Sequence, residues 1–344
     1  MTTYFNIHNH TMYSNIRLLD CINRPKDLID KAIELGLSGI AITDHECISG
    51  HMEVNQYAKE VKKNHPDFKI ALGNEVYLVD KRESGIKYYH FILVAKDAIG
   101  HKALRELSSI AWYYAYTDRG MKRVPITKEE MIKIISKYRG HVIATSACLG
   151  GELSTAAWNM CQAERVNDMV NAKVYYDQIC DFINYCQDLF GDDFYIELQD
   201  HGLQEQKDSN PALIEIAEQL GIKTVITNDS HYLRAQDAAW HDTLLCEQTK
   251  SAKSNPNRFK FSVNEFYVKT VDELRKAFSW MDEDYFNKCI ETTVEIADKV
   301  DFQMDKLEFG KTKEYLPKFP CPEGFDEVSY FDHLCREGLK KRYG

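Results

Sequence analysis

Residues 4–11 read Tyr4-Phe5-Asn6-Ile7-His8-Asn9-His10-Thr11. The apolar start is short enough for a β-strand, and the strand delivers two histidines at i and i+2. Alternate strand residues share a face, so the two imidazoles can clasp one ion at the strand's end. Alone, such a pair is more often two ordinary hydrogen-bonded histidines. What the other strand ends carry decides between the two readings.

Six further runs have the same character, at 39–43, 69–76, 89–95, 141–146, 193–198 and 223–227. Each is short, apolar and nearly unbroken, as expected of parallel strands covered on both faces. Amphipathic stretches lie between them. Pro25 opens one, with Leu28, Ile29, Ala32, Ile33 and Leu35 on a face and Gly36 as its stop. Asn210-Pro211 opens another that Gly221 ends. Repeated strand–helix units predict an α/β fold, and seven units favour a (β/α)7 barrel of TIM type over a doubly wound open sheet. The stretch 97–140 reads as a helical insertion; its Trp112, Tyr113, Tyr114, Tyr116, Arg119, Lys122 and Arg123 suit either a packed helix with a solvated basic end or a surface that stacks bases. The rhythm stops near residue 235. The expected division is therefore a barrel over 1–235 and a mainly helical extension and linker over 236–344.

The chain has 344 residues, 44% of them hydrophobic, which is ample for one large domain with an appendage. No run approaches the ~18 apolar residues of a membrane span. Met1-Thr2-Thr3-Tyr4 shows no basic region leading into an apolar one, so no signal peptide is expected. Ten scattered cysteines without a CxxC pair fit free thiols in a reducing cytoplasm. A net charge of −10 gives no global footprint for nucleic acid, so any such contact needs a local basic stripe or bound metal.

Active groups of α/β barrels gather at the C-terminal ends of the strands. This chain places there His8 and His10 with Asp20 in the next loop, Asp44-His45, Glu75, His90, Cys148, Glu197 to His201, and Asp229-Ser230-His231, a second i, i+2 pair. Imidazoles, carboxylates and one thiol together suit zinc, manganese or iron rather than magnesium alone.

The same residues carry a family resemblance. His8-Asn9-His10, Thr43-Asp44-His45, Glu75, His90 and Asp229-Ser230-His231 resemble the motifs of the polymerase and histidinol phosphatase (PHP) superfamily. Longer strings narrow the likeness: Leu18-Leu19-Asp20, 145–152 (TSACLGGE), 197–202 (ELQDHG), 227–232 (TNDSHY), 241–246 (HDTLLC), Glu265 to Lys269, 316–322 and the final 337–344. These resemble the N-terminal PHP domain of bacterial (C-family) DNA polymerase III alpha subunits, over nearly the whole chain. Two positions depart from that pattern, Cys21 and Glu46, where the family commonly has glycine.

The resemblance implies a distorted seven-stranded barrel with two or three divalent ions. Carried over position by position, His8, His10, Glu75 and Asp229 would hold the first, Glu75 with His90 and Cys148 the second, and Asp20, His45 and His231 the third. Glu75, Asp229, His10 and Asp44 are the candidate catalytic residues, Asp44 orienting a ligand from beside His45. Asp200 and His201 are candidates for packing or for substrate contact. The implied activity is metal-dependent phosphodiester hydrolysis, a 3′–5′ exonuclease on a single-stranded end or primer terminus of DNA, with a polymerase core and replisome subunits as partners. The palm that follows in that family is expected beyond residue 344, so the polymerase site is absent from this chain. Competing readings are a metal-stabilised structural module and a small-molecule phosphomonoesterase of histidinol phosphatase type.

Overall fold

The computed structural model describes residues 3–16, 18–118, 121–301 and 318–344. Arg119 and positions 316–317 of the linker string lie outside them. Two compact units result, Met1–Gln303 and Met304–Gly344.

The chain runs β1 (Phe5–Asn6), α1 (Pro25–Glu34), β2 (Gly39–Ile42), α2 (His51–Asn64), β3 (Lys69–Val79), β4 (Tyr89–Ala95), α3 (Ala98–Tyr113), β5 (Tyr116–Asp118), β6 (Met121–Arg123), β7 (Ile126–Thr127), α4 (Lys128–Lys137) and β8 (Val142–Thr145). It continues through α5 (Glu152–Arg165), α6 (Met169–Phe190), β9 (Phe194–Leu198), α7 (Gln204–Leu220), β10 (Thr224–Ile226), α8 (Ala238–Thr249), α9 (Val271–Ala277) and α10 (Glu283–Lys299), and α11 (Glu327–Tyr343) lies in the second unit. All seven apolar runs are strands of one curled sheet in the order β1-β2-β3-β4-β8-β9-β10.

One strand reverses. β4 is antiparallel to both β3 and β8, whereas the sequence suggested parallel strands throughout. The cause is the connection: residues 80–88 form no helix, and a parallel crossover needs a dozen or more residues, so the chain can only fold straight back. The insertion then carries it round to β8. That insertion is not purely helical, since the hairpin β5–β6 and the short β7, paired with β3, sit between its two helices.

The seven strands of that order all feed one core: Phe5, Ala41, Ala71, Ile92, Ile143, Tyr195 and Val225. Ile296, Ala297 and Val300 belong to the same cluster. α10 therefore lies along the seam between the first and last strands, where Phe5 donates its N–H to Thr293 Oγ1 at 3.2 Å and Thr224 meets Tyr285 at 3.0 Å. This is why the first unit runs well past residue 235, where the strand–helix rhythm stops. At the other end of the seam the sheet's edges meet directly: His10 N–H donates to Ser230 O at 3.0 Å and Ser230 N–H to His8 O at 3.2 Å.

Local signals mostly hold. Pro25 sits in the first turn of α1, and Gly36 after it takes φ +71°, a left-handed turn that glycine adopts without strain. α7 differs: it starts at Gln204, with Pro211 inside it. Tertiary bonds override the proline signal there, since Gln206 accepts from His201 N–H at 2.8 Å and Asn210 donates to Gln199 O at 3.0 Å. Among the described residues no helix is long and apolar enough to cross a membrane.

Away from the strand ends, two buried histidines pair. His51 Nε2 donates to Gly73 O at 2.9 Å, which leaves Nδ1 to accept from His101 Nε2 at 3.0 Å. Burial first, then the ring of His101, pushes His51 down to about 3, and burial with the Arg105 guanidinium pushes His101 to about 4. Both fold as neutral rings. The unfolded chain takes up protons that the folded one refuses, so stability is full above about pH 6.5 and falls as pH drops towards 4. His51 alone should cost about 2 kcal/mol between pH 7 and pH 5. Urea midpoints at the two pH values check this; His51→Gln, whose amide can donate and accept in the same places, should show a shallower fall than wild type.

Candidate metal centre

Strand ends bring the nine expected ligands to one place, seven of them buried and His90 and Cys148 partly so. His8 and His10 follow β1, Asp20 the next loop, His45 follows β2, Glu75 lies in β3, His90 in β4, Cys148 follows β8, and Asp229 and His231 follow β10. Three sets of ligand atoms come close enough to share an ion: His8, His10 and Glu75; Glu75, His90 and Cys148; and His10, His45 and His231. The second matches the expected set. The first matches it with Asp229 alongside. In the third, His10 rather than Asp20 closes the group, while Asp20 Oδ2 stands 3.2 Å from His45 Nε2.

Glu75 is the hub on one side. Its Oε2 lies 2.6 Å from His45 Nδ1, 3.3 Å from His10 Nε2 and 3.8 Å from His8 Nε2, while Oε1 contacts His90 Nδ1. Cys148 Sγ is 3.4 Å from the same His90 nitrogen. Asp229 is the hub on the other side, its Oδ1 within 3.1 to 3.3 Å of Nε2 of His8, His10 and His231. Asp229 takes φ +47°, a backbone strain of the kind that gathers at functional sites. No hydrogen bond satisfies Nε2 of His8 or His10, either oxygen of Glu75, or Oδ1 of Asp229, although all are buried. Buried polar atoms left without a hydrogen bond are costly, and here they converge on shared points, so the donor set fits divalent ions.

The charges interlock. Burial works against ionisation of Glu75, but His90 and His45 hold its carboxyl well below the usual range. Asp229 behaves likewise through His8 and His231. Burial opposes a charge on Asp20, yet His45 brings it down to about 2. Burial also opposes charge on His8, His45 and His231, and the facing carboxylates lift all three above an ordinary imidazole. His10 goes the other way, to about 3, because burial and the ring of His45 outweigh its carboxylate contacts. Burial, with Asp229 and Glu75 near, pushes the Cys148 thiol up.

Behind the ligands stands a second layer. Glu197, not singled out from the sequence as a partner of His8, accepts from His8 Nδ1 at 2.6 Å and from Thr145 Oγ1 at 2.5 Å, with Gln199 at 2.7 Å. That bond turns His8 Nε2 towards Glu75 and Asp229. Alternation along β9 was the available signal, since Tyr195, Glu197 and Gln199 share a face. Asp44 touches none of the ligand atoms of His45. It accepts from Thr11 N–H at 2.6 Å and Ser14 Oγ at 2.8 Å, and Ser14 Oγ is 3.2 Å from His10 Nδ1. Asp200 accepts from Trp280 Nε1 at 2.7 Å and from Gly202 N–H. His201 lines the cavity over the site but donates to Asn228 O at 2.8 Å and stacks on Phe266. Both have structural partners in place.

A cavity of about 940 Å³ opens on the cluster. Tyr77, Tyr88 and His90 line one part of it, and Leu245, Phe259, Phe261 and Phe266 another. Trp112 of the insertion donates to Glu46 O at 2.7 Å, Lys122 lies over Trp112, and Arg123 reaches Tyr88 at the cavity wall.

Residues 6–201 match the PHP domain family, more than half of the chain. The chain belongs to the PHP domain family. It is similar to the DNA-directed DNA polymerase of Bacillus phage SPbeta, 36% identical in an alignment 343 positions long that covers 95% of this chain and 26% of that protein. It is similar too to DNA polymerase III subunit alpha of Borreliella burgdorferi (33% identical along 348 aligned positions, covering 99% of this chain and 27% of that one) and of Thermus aquaticus (34% along 354 aligned positions, covering 99% and 26%). The chain thus spans about a quarter of the length of the curated relatives it matches.

Cys21 and Glu46, the two positions where glycine was expected, are accommodated differently. Glu46 takes φ +50°, the left-handed conformation that glycine adopts freely, and is held by its N–H donating to Glu75 O at 2.8 Å. Cys21 is buried, and its thiol reaches the carbonyls of His10 at 3.0 Å and His231 at 3.2 Å. A side chain there ties the first and last strand ends together behind the ligands.

Proposed function

We propose that this chain is a metal-dependent phosphoesterase acting on DNA, a 3′–5′ exonuclease at a single-stranded end or primer terminus. The observation that carries the reading is Glu75, one buried carboxylate whose two oxygens face two different sets of ligands beneath an open cavity. Bound divalent ions would supply a water acidified towards neutrality and positive charge against the phosphoryl oxygens. His8, His10, Glu75 and Asp229 would hold one, Glu75, His90 and Cys148 a second, and Asp20, His45 and His231 a third. Glu75, Asp229 and His10 are the proposed catalytic residues. Asp44 is a positioning residue that reaches His10 through Ser14, as Glu197 is for His8. Zinc, manganese and iron suit the imidazole, carboxylate and thiol donors. Relatives named as DNA polymerases support DNA as substrate. A polymerase core and replisome subunits are the proposed partners, and the cytoplasm the proposed location.

The test is a 3′-labelled single strand with purified chain, titrated with manganese against a chelator control. Release of mononucleotides from the labelled end that the chelator abolishes is the expected result. No release from fully metallated chain would leave a structural module instead.

Cys148 makes its own prediction. A thiolate is a soft ligand, so Cys148→Ser should weaken zinc more than manganese and shift activity towards manganese. If Cys148 only packs, the serine should cost on the order of 1–3 kcal/mol for an unpartnered hydroxyl and leave the zinc-to-manganese activity ratio as it was. Metal content and that ratio, measured together on both proteins, decide.

A further inference from the structure

The cavity over the metal centre is larger and more aromatic than a phosphate needs. At about 940 Å³ it stands at the top of the range for small-ligand pockets. Its ring-lined walls start from metal ligands. On one side Tyr77 stacks on His90 and Tyr88 at 4.5 and 4.7 Å, and Arg123 lies over Tyr88 at 5.0 Å. These flat groups cover one another. On the other side Phe261 meets His231 edge-on at 5.6 Å, and Phe259 stands at 84° to Phe261, 6.1 Å away. Phe259 is 59% exposed, a large ring left open to solvent on the cavity wall. Exposed Lys260 lies between the two phenylalanines.

We propose that Phe259 and Phe261 form a stacking subsite for the base of the 3′-terminal nucleotide, with Lys260 set to meet the strand's phosphates. The inference rests on the phosphodiesterase reading and names the part of the substrate that the apolar wall receives. Phe261 touches a ligand of the metal centre, so a phosphate held by the ions stands next to a base lying on this wall. Stacking accepts every base because each has a π-face, and a lysine adds sequence-independent attraction. A small polar phosphomonoester would leave Phe259 uncovered.

Two single strands test it, identical except that one ends in a normal 3′ nucleotide and the other in an abasic one. Phe259→Ala should lower kcat/KM about tenfold on the first and leave the second unchanged. Phe259→Trp should keep or raise the activity on the first. Since Phe259 is exposed, its removal should spare the fold and the metal content, both measured. A second readout needs no turnover: a strand with 3′-terminal 2-aminopurine should lose fluorescence on binding metal-free protein, and Phe259→Ala should abolish that quench. Quenching that depends on Phe259 without cleavage at any metal concentration would sink the phosphodiesterase reading and leave the subsite. Cleavage indifferent to both the terminal base and Phe259 would overturn the subsite and leave the reading. Neither quenching nor cleavage would overturn both.

Discussion

Replacing Glu75 by glutamine should lower metal content and hydrolysis together, with kcat down more than about 100-fold. That is beyond what loss of an outer partner of a ligand typically costs. The argument is geometric. Oε2 faces His8, His10 and His45, and Oε1 faces His90 beside Cys148, so one carboxylate serves two groups of ligands. An amide offers one neutral acceptor and two hydrogens, which can neither balance two ions nor share a bond with both. Glu75→Ala should be worse, because it also leaves buried imidazoliums facing a void, and breaking a buried pair costs about 3–5 kcal/mol. Elemental analysis of folded protein, with the melting temperature alongside, separates lost ions from lost fold. A fully metallated, active Glu75→Gln protein would show that the carboxylate does not bridge.

Gently purified protein should carry two or three transition-metal ions per chain, and chelation should abolish hydrolysis. Fewer than one tightly bound ion per chain would count against the site. Loading should also release protons and weaken as pH falls. The carboxylates around His8, His45 and His231 raise these imidazoles, so the metal-free protein keeps protons there to higher pH than free imidazoles would, and ions must displace them; the Cys148 thiol adds another. The sign is fixed: affinity rises with pH through the neutral range and is lost on the acid side. Zinc titration of the metal-free protein in weak buffer should therefore acidify the solution, and the midpoint should move to higher zinc at pH 6 than at pH 8. A midpoint independent of pH would mean that these rings are not ligands.

Much of this protein is written locally. Short apolar runs cut by Pro25, Gly36 and Gly221 announce seven strands and the helices between them, because strand and helix periods differ and need no distant partner to be read. Paired histidines at i and i+2, and acids at matched strand ends, announce the site for the same reason: alternation in a strand fixes which side chains share a face. Tertiary structure decided the rest. The length of the connection at 80–88 set the direction of β4, and the cost of an open seam between β1 and β10 brought α10 into the barrel's core. Neither hydropathy nor periodicity registers these. Asp44 sits beside a ligand in sequence but reaches His10 only through Ser14, whereas Glu197, far from His8 along the chain, holds it at 2.6 Å. Which side chain orients which depends on where the curl of the sheet brings strand ends together, and the sequence alone does not specify that closure.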